Sequence, residues 1–474
     1  MGAKPGVAGR GPVMALRALT ALTLLVPVAG VAMPATGALS SIREEAQPES
    51  PRLAALSRDM GSGPGHKLLD TFWEAVAREG APMIEPLAGG EQMLVTFLWR
   101  APDREAKVNA AIFGIFTEAP WQSGAPLLHL SGTDIWYRSY RLPTDLRAPY
   151  MFIKPSGEMA GIRTERHWPP KDFDQPLPPH DLFLDPLNPH SVEDVYFGTP
   201  TRENYLEGPA APKDAVAAIE GRSAAGRRVE LTVDSAILGN ARKVVVYVPQ
   251  TEGKDKGEAP GLLLLFDGLS FLSPGHVPEM LDSMTASGQV APAVAVFVDF
   301  IDQAHRKAEL GPNPLFARFI AEELVPLIRT KFGVSTDPAR AVIAGASRGG
   351  LAATSIAFEH PEIFGNVLAQ SSSYWWAPTQ EQFGRGWLAD KFRRSPRLPI
   401  CFYLTAGTLE SMEAMLSPNR EMRDVLIGRG YDVAYREYAG GHTFLNWRDA
   451  LPEGLRSLMP GRNGAAGAGR LCRR

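Results

Sequence analysis

From Ala341 to Gly350 the chain reads Ala-Val-Ile-Ala-Gly-Ala-Ser-Arg-Gly-Gly, then continues into a helical pattern from Leu351 to His360. An apolar run of strand type that meets Gly-x-Ser-x-Gly and turns at once into a helix is the sequence form of a nucleophile elbow. Such a turn is sharp and strained. Gly345 and Gly349 are expected to be hydrogen-only neighbours because side chains there would collide with the flanking backbone. Ser347 is thereby lifted clear of its own chain. The backbone N–H of Arg348 is aimed at the point where a substrate carbonyl oxygen would gain charge, with a helix N-terminus beneath it.

The rhythm around this stretch is that of an α/β domain. Strands are expected at Val229–Val233, Lys243–Pro249, Leu262–Phe266 and Ala293–Phe300, then at Asn366–Gln370, Ile400–Thr405 and Asp432–Tyr438. Helices are expected at Leu315–Lys331, near Asn419–Arg429 and from roughly Asn446 onward, with Pro326 kinking the last turns of the first. Apolar strands alternating with helices imply a mostly parallel sheet with helices on both faces, its active site at the carboxyl ends of the strands.

Upstream the pattern changes. A helix at Lys67–Arg78 precedes short alternating strands at Met93–Arg100, Val108–Phe116, Leu127–Leu130, Trp136–Leu142 and Tyr150–Pro155, which suggest an antiparallel β-sandwich. Pro169–Pro189 reads as a long ordered loop or a closing edge of that sandwich. The expected organisation is a signal peptide at 1–38, a flexible lead-in at 39–65, a helix plus sandwich at 66–206, a linker at 207–227, the α/β domain at 228–460 and a disordered tail at 461–474.

The leader places Lys4, Arg10 and Arg17 before the apolar run Ala18–Ala32, and no acidic residue occurs before Glu44. That is an export pattern, too short and too promptly followed by Pro34 for a membrane span, so periplasmic or secreted location without stable membrane insertion is expected. Removing 1–38 takes away three positive charges and no negative ones, which moves the formal charge from −3 to −6. A mildly acidic product is not a general nucleic-acid binder. Of the two cysteines, Cys401 falls inside a strand and Cys472 in a Gly/Ala/Arg tail. A bridge between them is possible in an exported protein, but a buried strand and a loose tail need not meet, so the fold is not expected to lean on a disulfide. Neither Cys-x-x-Cys nor His-Glu-x-x-His occurs, so no metal or cofactor is expected.

A serine hydroxyl needs a base. Asp432–Tyr438 is followed by Ala439-Gly440-Gly441-His442, where two glycines let a loop swing His442 toward the elbow. Serine before histidine is the chain order of α/β-hydrolases. The acid that orients the imidazole should follow the strand Ile400–Thr405, where Glu410 and Glu413 are candidates and Glu410 is nearer the strand end. A second oxyanion donor should come from the loop after Leu262–Phe266, at the N–H of Gly268 or Leu269, with Asp267 holding the loop by side-chain hydrogen bonds.

With these residues assembled, the chain resembles the enterochelin (enterobactin) esterase family. The resemblance rests on Val95–Arg100 and Asp134–Tyr140 in the amino-terminal part. In the carboxy-terminal part it rests on Leu238–Arg242, Ile301-Asp302, His305-Arg306, Glu309-Leu310, the elbow, Gln370–Trp376, and Gly440–His442 with Trp447-Arg448. It implies a serine esterase that opens the trilactone of a catecholate siderophore, ferric or iron-free, to release iron. Ser347 would be the nucleophile, His442 the base and Glu410 the acid, with Arg306 and Trp376 beside the substrate. An anionic tris-catecholate and an acidic chain require a local basic cluster. Arg138, Arg306, Arg348 and Arg448 are available for it, with Trp136, Trp375 and Trp376 as flat surfaces for catechol rings. The familiar two-domain members are cytoplasmic, whereas this chain carries an export pattern. Two other readings stand beside this one: a secreted feruloyl or acetyl carbohydrate esterase with the same triad, and a siderophore-binding protein with little turnover. Oligomeric state is not legible.

Overall fold

Two burial patterns divide the chain. The computed structural model describes residues 48–60, 65–101, 109–112, 125–154, 181–196, 199–213, 216, 219, 223–250, 259–379 and 382–463, so the leader 1–38, Cys472 and most of the tail 461–474 lie outside it. The described residues belong to one compact unit.

The first half contains β1 (Met83–Pro86), β2 (Gln92–Arg100), β3 (Asn109–Ile112), β4 (Ala125–Pro126), β5 (Leu128–His129), β6 (Ile135–Pro143), β7 (Arg147–Lys154), β8 (Asp181–Phe183), β9 (Ser191–Tyr196) and β10 (Thr199–Glu207). They form two antiparallel sheets, β1-β2-β6-β5 and β4-β3-β7-β10-β9, with β8 on β7. Side chains alternate across β2, so one face meets the other sheet and the other meets helices. Phe97 packs on Tyr150, and Trp99 on Phe152, between the sheets. Leu98, with Ile135 and Tyr137, packs against Trp73 and Val76 of the helix Gly65–Glu79.

The second half contains β11 (Arg227–Ser235), β12 (Asn240–Val248), β13 (Gly261–Phe266), β14 (Ala293–Val298), β15 (Ala341–Ala346), β16 (Asn366–Gln370), β17 (Cys401–Gly407) and β18 (Asp432–Tyr438). Their order is β11-β12-β14-β13-β15-β16-β17-β18; β11–β12 and β12–β14 are antiparallel and the other pairs parallel. Strands β13 to β17 are buried at every position, as parallel strands covered on both faces must be. One face is packed by Pro314–Phe332, Arg348–Glu359, Trp387–Arg394 and Ser417–Gly428, the other by Val277–Ala286 and Phe444–Leu458. This is an α/β-hydrolase sheet preceded by a sandwich.

Several expectations need correction. Part of the lead-in is a helix, Pro51–Met60, because Leu53 and Leu56 are spaced to bury one side against the next helix. The linker is anchored: Val216 and Ile219 are buried with Tyr247, Phe271 and Leu281. Of the two readings of the Pro-rich stretch, a closing edge fits its described part, where β8 pairs with β7 and residues 185–188 are held by a buried network. There Tyr150 donates to Asp185 at 2.8 Å and Asn188 donates to Tyr150 at 3.0 Å. The helix expected at Leu315–Lys331 widens to a π-helix over Phe319–Leu324, with the Val325 N–H donating to Ile320 five residues back. Pro326 has no N–H for a regular bond, so the ladder re-registers before the proline and not after it. Cys401 is disulfide-bonded, and the chain's other cysteine, Cys472, lies outside the described residues. The bond that the sequence left open is thus present at Cys401.

Two stretches that carried the family resemblance meet here. Arg242 on β12 donates from both Nη atoms to the two oxygens of Glu309 at 2.9 and 2.6 Å, with both side chains buried. Phe316 and Phe319 face the guanidinium at 5.4 and 4.9 Å. Removing one partner leaves a buried charge uncompensated, so Glu309→Ala is expected to destabilise the fold by about 3–5 kcal/mol. Urea unfolding followed by tryptophan fluorescence checks this; an unchanged midpoint would show that the pair is dispensable.

Candidate active site

The site is built on the carboxyl edge of β13 to β18. Ser347 follows β15 with φ 53° and ψ −120°, and the helix Arg348–Glu359 starts at the next residue. A side chain at Gly345 would lie 2.5 Å from the Gly349 carbonyl carbon, so the strand and helix can approach only over glycine. Gly349 is less tight: the nearest atom is Phe266 Cβ at 3.3 Å. The tighter second position is Gly350, where an added Cβ would fall 2.1 Å from Ser372 Oγ. Strand β16 and its continuation clamp the turn. The Ser347 N–H donates to the Gln370 carbonyl at 2.8 Å, and the Ser373 N–H donates to the Ser347 carbonyl at 3.0 Å. The hydroxyls of Ser347 and Ser373 are 3.3 Å apart.

Glu410 and His442 come together. Imidazole Nδ1 lies 2.9 Å from Glu410 Oε2, and the carboxylate is fully buried. Of the two candidate acids, Glu410 is therefore the one on the histidine; Glu413 is exposed in the next helical turn. The loops that carry the pair are stitched by the Leu409 N–H donating to Gly440 O at 3.0 Å. Glu410 Oε1 accepts from the Gly407 N–H at 2.8 Å and from the Ser371 hydroxyl. Ser371 in turn accepts from Trp447 Nε1 at 3.0 Å and lies 3.3 Å from Tyr438 OH. Its backbone is left-handed, φ 44°. Burial, and next the Glu410 charge, push the Tyr438 phenol well above its ordinary range, so it stays a neutral hydroxyl. Sequence reasoning did not single out Ser371 or Trp447 for this support. The only signal was their place in the Gln370–Trp376 and Trp447-Arg448 stretches.

The loop after β13 reaches the same edge. Asp267 is left-handed, φ 52°, and opens the short helix Gly268–Leu272. A side chain at Gly268 would meet the Phe297 carbonyl carbon at 2.7 Å, so only glycine lets the loop settle against β14. Leu269 is exposed and Arg348 buried. The first N–H groups of each helix, those of Gly268, Leu269 and Arg348, have no acceptor within their own helix. Asp267 makes no side-chain cap; it grips Arg306 by a fork of 2.7 and 2.8 Å.

The substrate-side expectations fare unevenly. Arg306 reaches the loop beside the elbow but is held by Asp267. Arg448 is buried and paired with Asp449 at 3.1 Å. Trp375 is a core residue, 2% exposed, with its edge to Phe383 and the Arg348 guanidinium 5.7 Å from its ring. Arg448 and Trp375 are corrected: a buried group has no free face for a ligand. Trp376 is half-buried against Trp387. Arg138 lies over Tyr140 on the sandwich, and Trp136 lies against His129. Among the described residues no cluster of three or more His, Cys, Asp or Glu could hold a metal ion.

Comparison with known proteins bears on this geometry. The model of the family described as "Enterochelin esterase, N-terminal" matches residues 94–216, and that of the Esterase family matches 235–458. An iron(III) enterobactin esterase of Dickeya dadantii (strain 3937) is 30% identical over 424 residues, covering 83% of this chain and 93% of the relative. The chain belongs to the enterochelin esterase family. It is accordingly a carboxylic ester hydrolase. An iron(III) salmochelin esterase of Escherichia coli O6:H1 is 27% identical over 86% of this chain and 97% of its own length. Among solved structures, the enterobactin esterase of Shigella flexneri in the presence of enterobactin aligns with TM-score 0.66 and 29% identity, covering 82% of this chain and 97% of that one. The ferric enterobactin esterase of Salmonella typhimurium aligns with TM-score 0.68 and 27% identity, over 82% and 98%.

One titrating group borders the site of this esterase without joining it. Burial pushes the Asp299 carboxyl up to about 6 from its ordinary 3.8, the Asp267 charge adds to this, and the Phe300 N–H and Arg306 offset part of it. The folded chain then holds this proton more tightly than the unfolded one, so stability falls as pH rises through that window. Asp299→Asn is expected to melt higher than the parent at about pH 7.5, with the difference vanishing at about pH 4. Thermal melts at both pH values test it, and a difference independent of pH would refute it.

Proposed function

We propose that this esterase hydrolyses the ester bonds of a trilactone catecholate siderophore by way of a Ser347–His442–Glu410 triad. The observation that carries the reading is the buried Glu410 carboxylate on His442 Nδ1 at 2.9 Å, on the same sheet edge as a serine held at φ 53°. The substrate class is supported by relatives that bear the names iron(III) enterobactin and iron(III) salmochelin esterase and match over both domains.

In the mechanism, Glu410 fixes the tautomer with the proton on Nδ1, leaving Nε2 to take the proton of Ser347 Oγ as that oxygen attacks the lactone carbonyl. The tetrahedral oxyanion is received by the N–H of Arg348 and that of Gly268 or Leu269; each such donor is worth about 3 kcal/mol. His442 then returns the proton to the departing serine alkoxide, the C–O bond breaks, and an acyl ester on Ser347 remains. Water, deprotonated by His442, adds to that ester and expels Ser347 as its hydroxyl, leaving a linear acid. Opening the trilactone weakens the chelate, and iron leaves with the product as cargo. Trp376 and Arg306 border the ligand in this reading. The chain acts after export, in the periplasm. The leader composition supports this, as does the disulfide at Cys401, a bond that persists in oxidising compartments.

The test is product analysis with iron-loaded and iron-free trilactone. Ser347→Ala is expected to lower turnover by roughly 10⁵-fold or more while tryptophan quenching by the ligand persists. Glu410→Gln is expected to lose roughly 10⁴-fold, by leaving the imidazole in the wrong tautomer. Undiminished cleavage by Ser347→Ala would end the proposal.

A further inference from the structure

The purpose of the sandwich domain is not given by the esterase chemistry, and the contact between the two halves speaks to it. Arg147, at the start of β7, is 3% exposed although it belongs to the sandwich. Its guanidinium donates to Asp449 Oδ2 at 2.6 Å and to the Pro212 carbonyl at 2.7 Å, and lies 3.2 Å from Glu207. Its own carbonyl accepts from Asn446 Nδ2 at 2.9 Å. Both Asn446 and Asp449 stand in the first turns of the helix Phe444–Leu458, which starts two residues after His442.

Asn446 reaches back over the histidine loop. Its Oδ1 accepts from the Gly441 N–H and from the Thr443 hydroxyl, each at 3.0 Å, one residue on either side of His442. An added Cβ at Gly440 would lie 2.7 Å from the Asn446 amide, so the loop is pressed against this side chain. The next residue faces the chemistry. Trp447 presents its ring to His442 edge to face at 4.8 Å and donates to Ser371, the hydroxyl that donates to Glu410. One turn of helix therefore touches the sandwich through Asn446 and Asp449 and the imidazole through Trp447, which also reaches the Glu410 carboxylate by way of Ser371.

We infer that the sandwich is a positioning domain for the base: Arg147, Asn446 and Asp449 form a latch that sets where His442 sits relative to Ser347. The inference rests on the reading of His442 as general base. Arg147 is too buried to touch a ligand, which separates this role from that of a binding wall. A spacer would need no buried ion pair, since apolar packing holds domains together equally well or better. Hydrogen bonds to a backbone carbonyl and to the residues flanking the imidazole carry geometric information that apolar contact does not. The sandwich also meets the second half through β9, which lies against the helices Gly268–Leu272 and Phe444–Leu458.

The experiment separates positioning from binding and from folding. Full-length chain is treated with diethyl p-nitrophenyl phosphate. Attack by Ser347 forms a Ser–O–P bond, breaks the aryl P–O bond and passes the serine proton to His442, so released p-nitrophenolate reports the base directly. Asn446→Ala is expected to slow this step roughly ten- to a hundredfold and Asp449→Asn a few-fold, because small misplacement of a reacting group is costly. The double variant is expected to lose little more than Asn446→Ala alone, as members of one latch are not additive. Quenching of tryptophan fluorescence by the iron-loaded trilactone should stay within about twofold of the parent, as a role in positioning leaves ligand affinity alone. Thermal midpoints identify any variant that fails to fold, and Asp449→Asn, which leaves Arg147 paired with Glu207, carries the test if Asn446→Ala does. Folded variants that react within about twofold of the parent would overturn the inference. So would an affinity loss matching the rate loss, which would make the sandwich a binding wall. His442→Ala runs alongside: if it reacted like the parent, the reading of the base would fall on its own account, whatever the latch variants did.

Discussion

A serine in the left-handed half of backbone space is the constraint to which the rest of this structure answers. At φ 53° and ψ −120° it costs of order 1–3 kcal/mol and persists only because its surroundings over-determine it. The Ser347 N–H and carbonyl are both taken by the strand-end segment Gln370–Ser373, and the carbonyl also accepts from Leu351. Gly345 and Gly350 are the positions at which any side chain would push strand, helix and the Ser372 hydroxyl apart. At the neighbouring strand end Ser371 is left-handed as well, and its hydroxyl donates to Glu410. Strain on adjacent strands is thus concentrated where chemistry needs side chains to stand clear of the sheet.

Charge around the site is compensated internally. The Glu410 carboxylate is wholly desolvated, yet it is met by the His442 ring, a backbone N–H and a hydroxyl. These partners offset the cost of burying the group and fix its orientation against the imidazole. The expected basic cluster has a different form: Arg306 answers Asp267, while Arg448 and Arg147 share Asp449. These cations hold loops and helices in place.

The stretches on which the resemblance rested are explained by these contacts. Arg242 and Glu309, far apart in sequence, are two halves of one buried ion pair. The Gln370–Trp376 stretch supplies the clamp on the elbow and the hydroxyl under Glu410. Trp447 lies edge to face on the His442 ring, and Arg448 is tied to the same aspartate that the sandwich grips.

Periodicity made the α/β sheet and the sandwich legible, because strands buried on both faces read as unbroken apolar runs and half-buried ones alternate. It missed the β9–β10 hairpin, the helix Pro51–Met60 and the π-helical turn, where proline content and short length hide the pattern. Gly-x-Ser-x-Gly between a strand and a helix determined the elbow by local sterics alone, and chain order was enough to put a histidine and an acid at later strand ends. Which glutamate faces the histidine, that Trp375 and Arg448 are buried rather than offered to a ligand, and that Arg147 reaches across to Asp449 were decided only by tertiary structure. Those outcomes depend on which surfaces meet when distant segments pack, and desolvation and hydrogen-bond partnership are properties of that meeting, with no local signature in the chain.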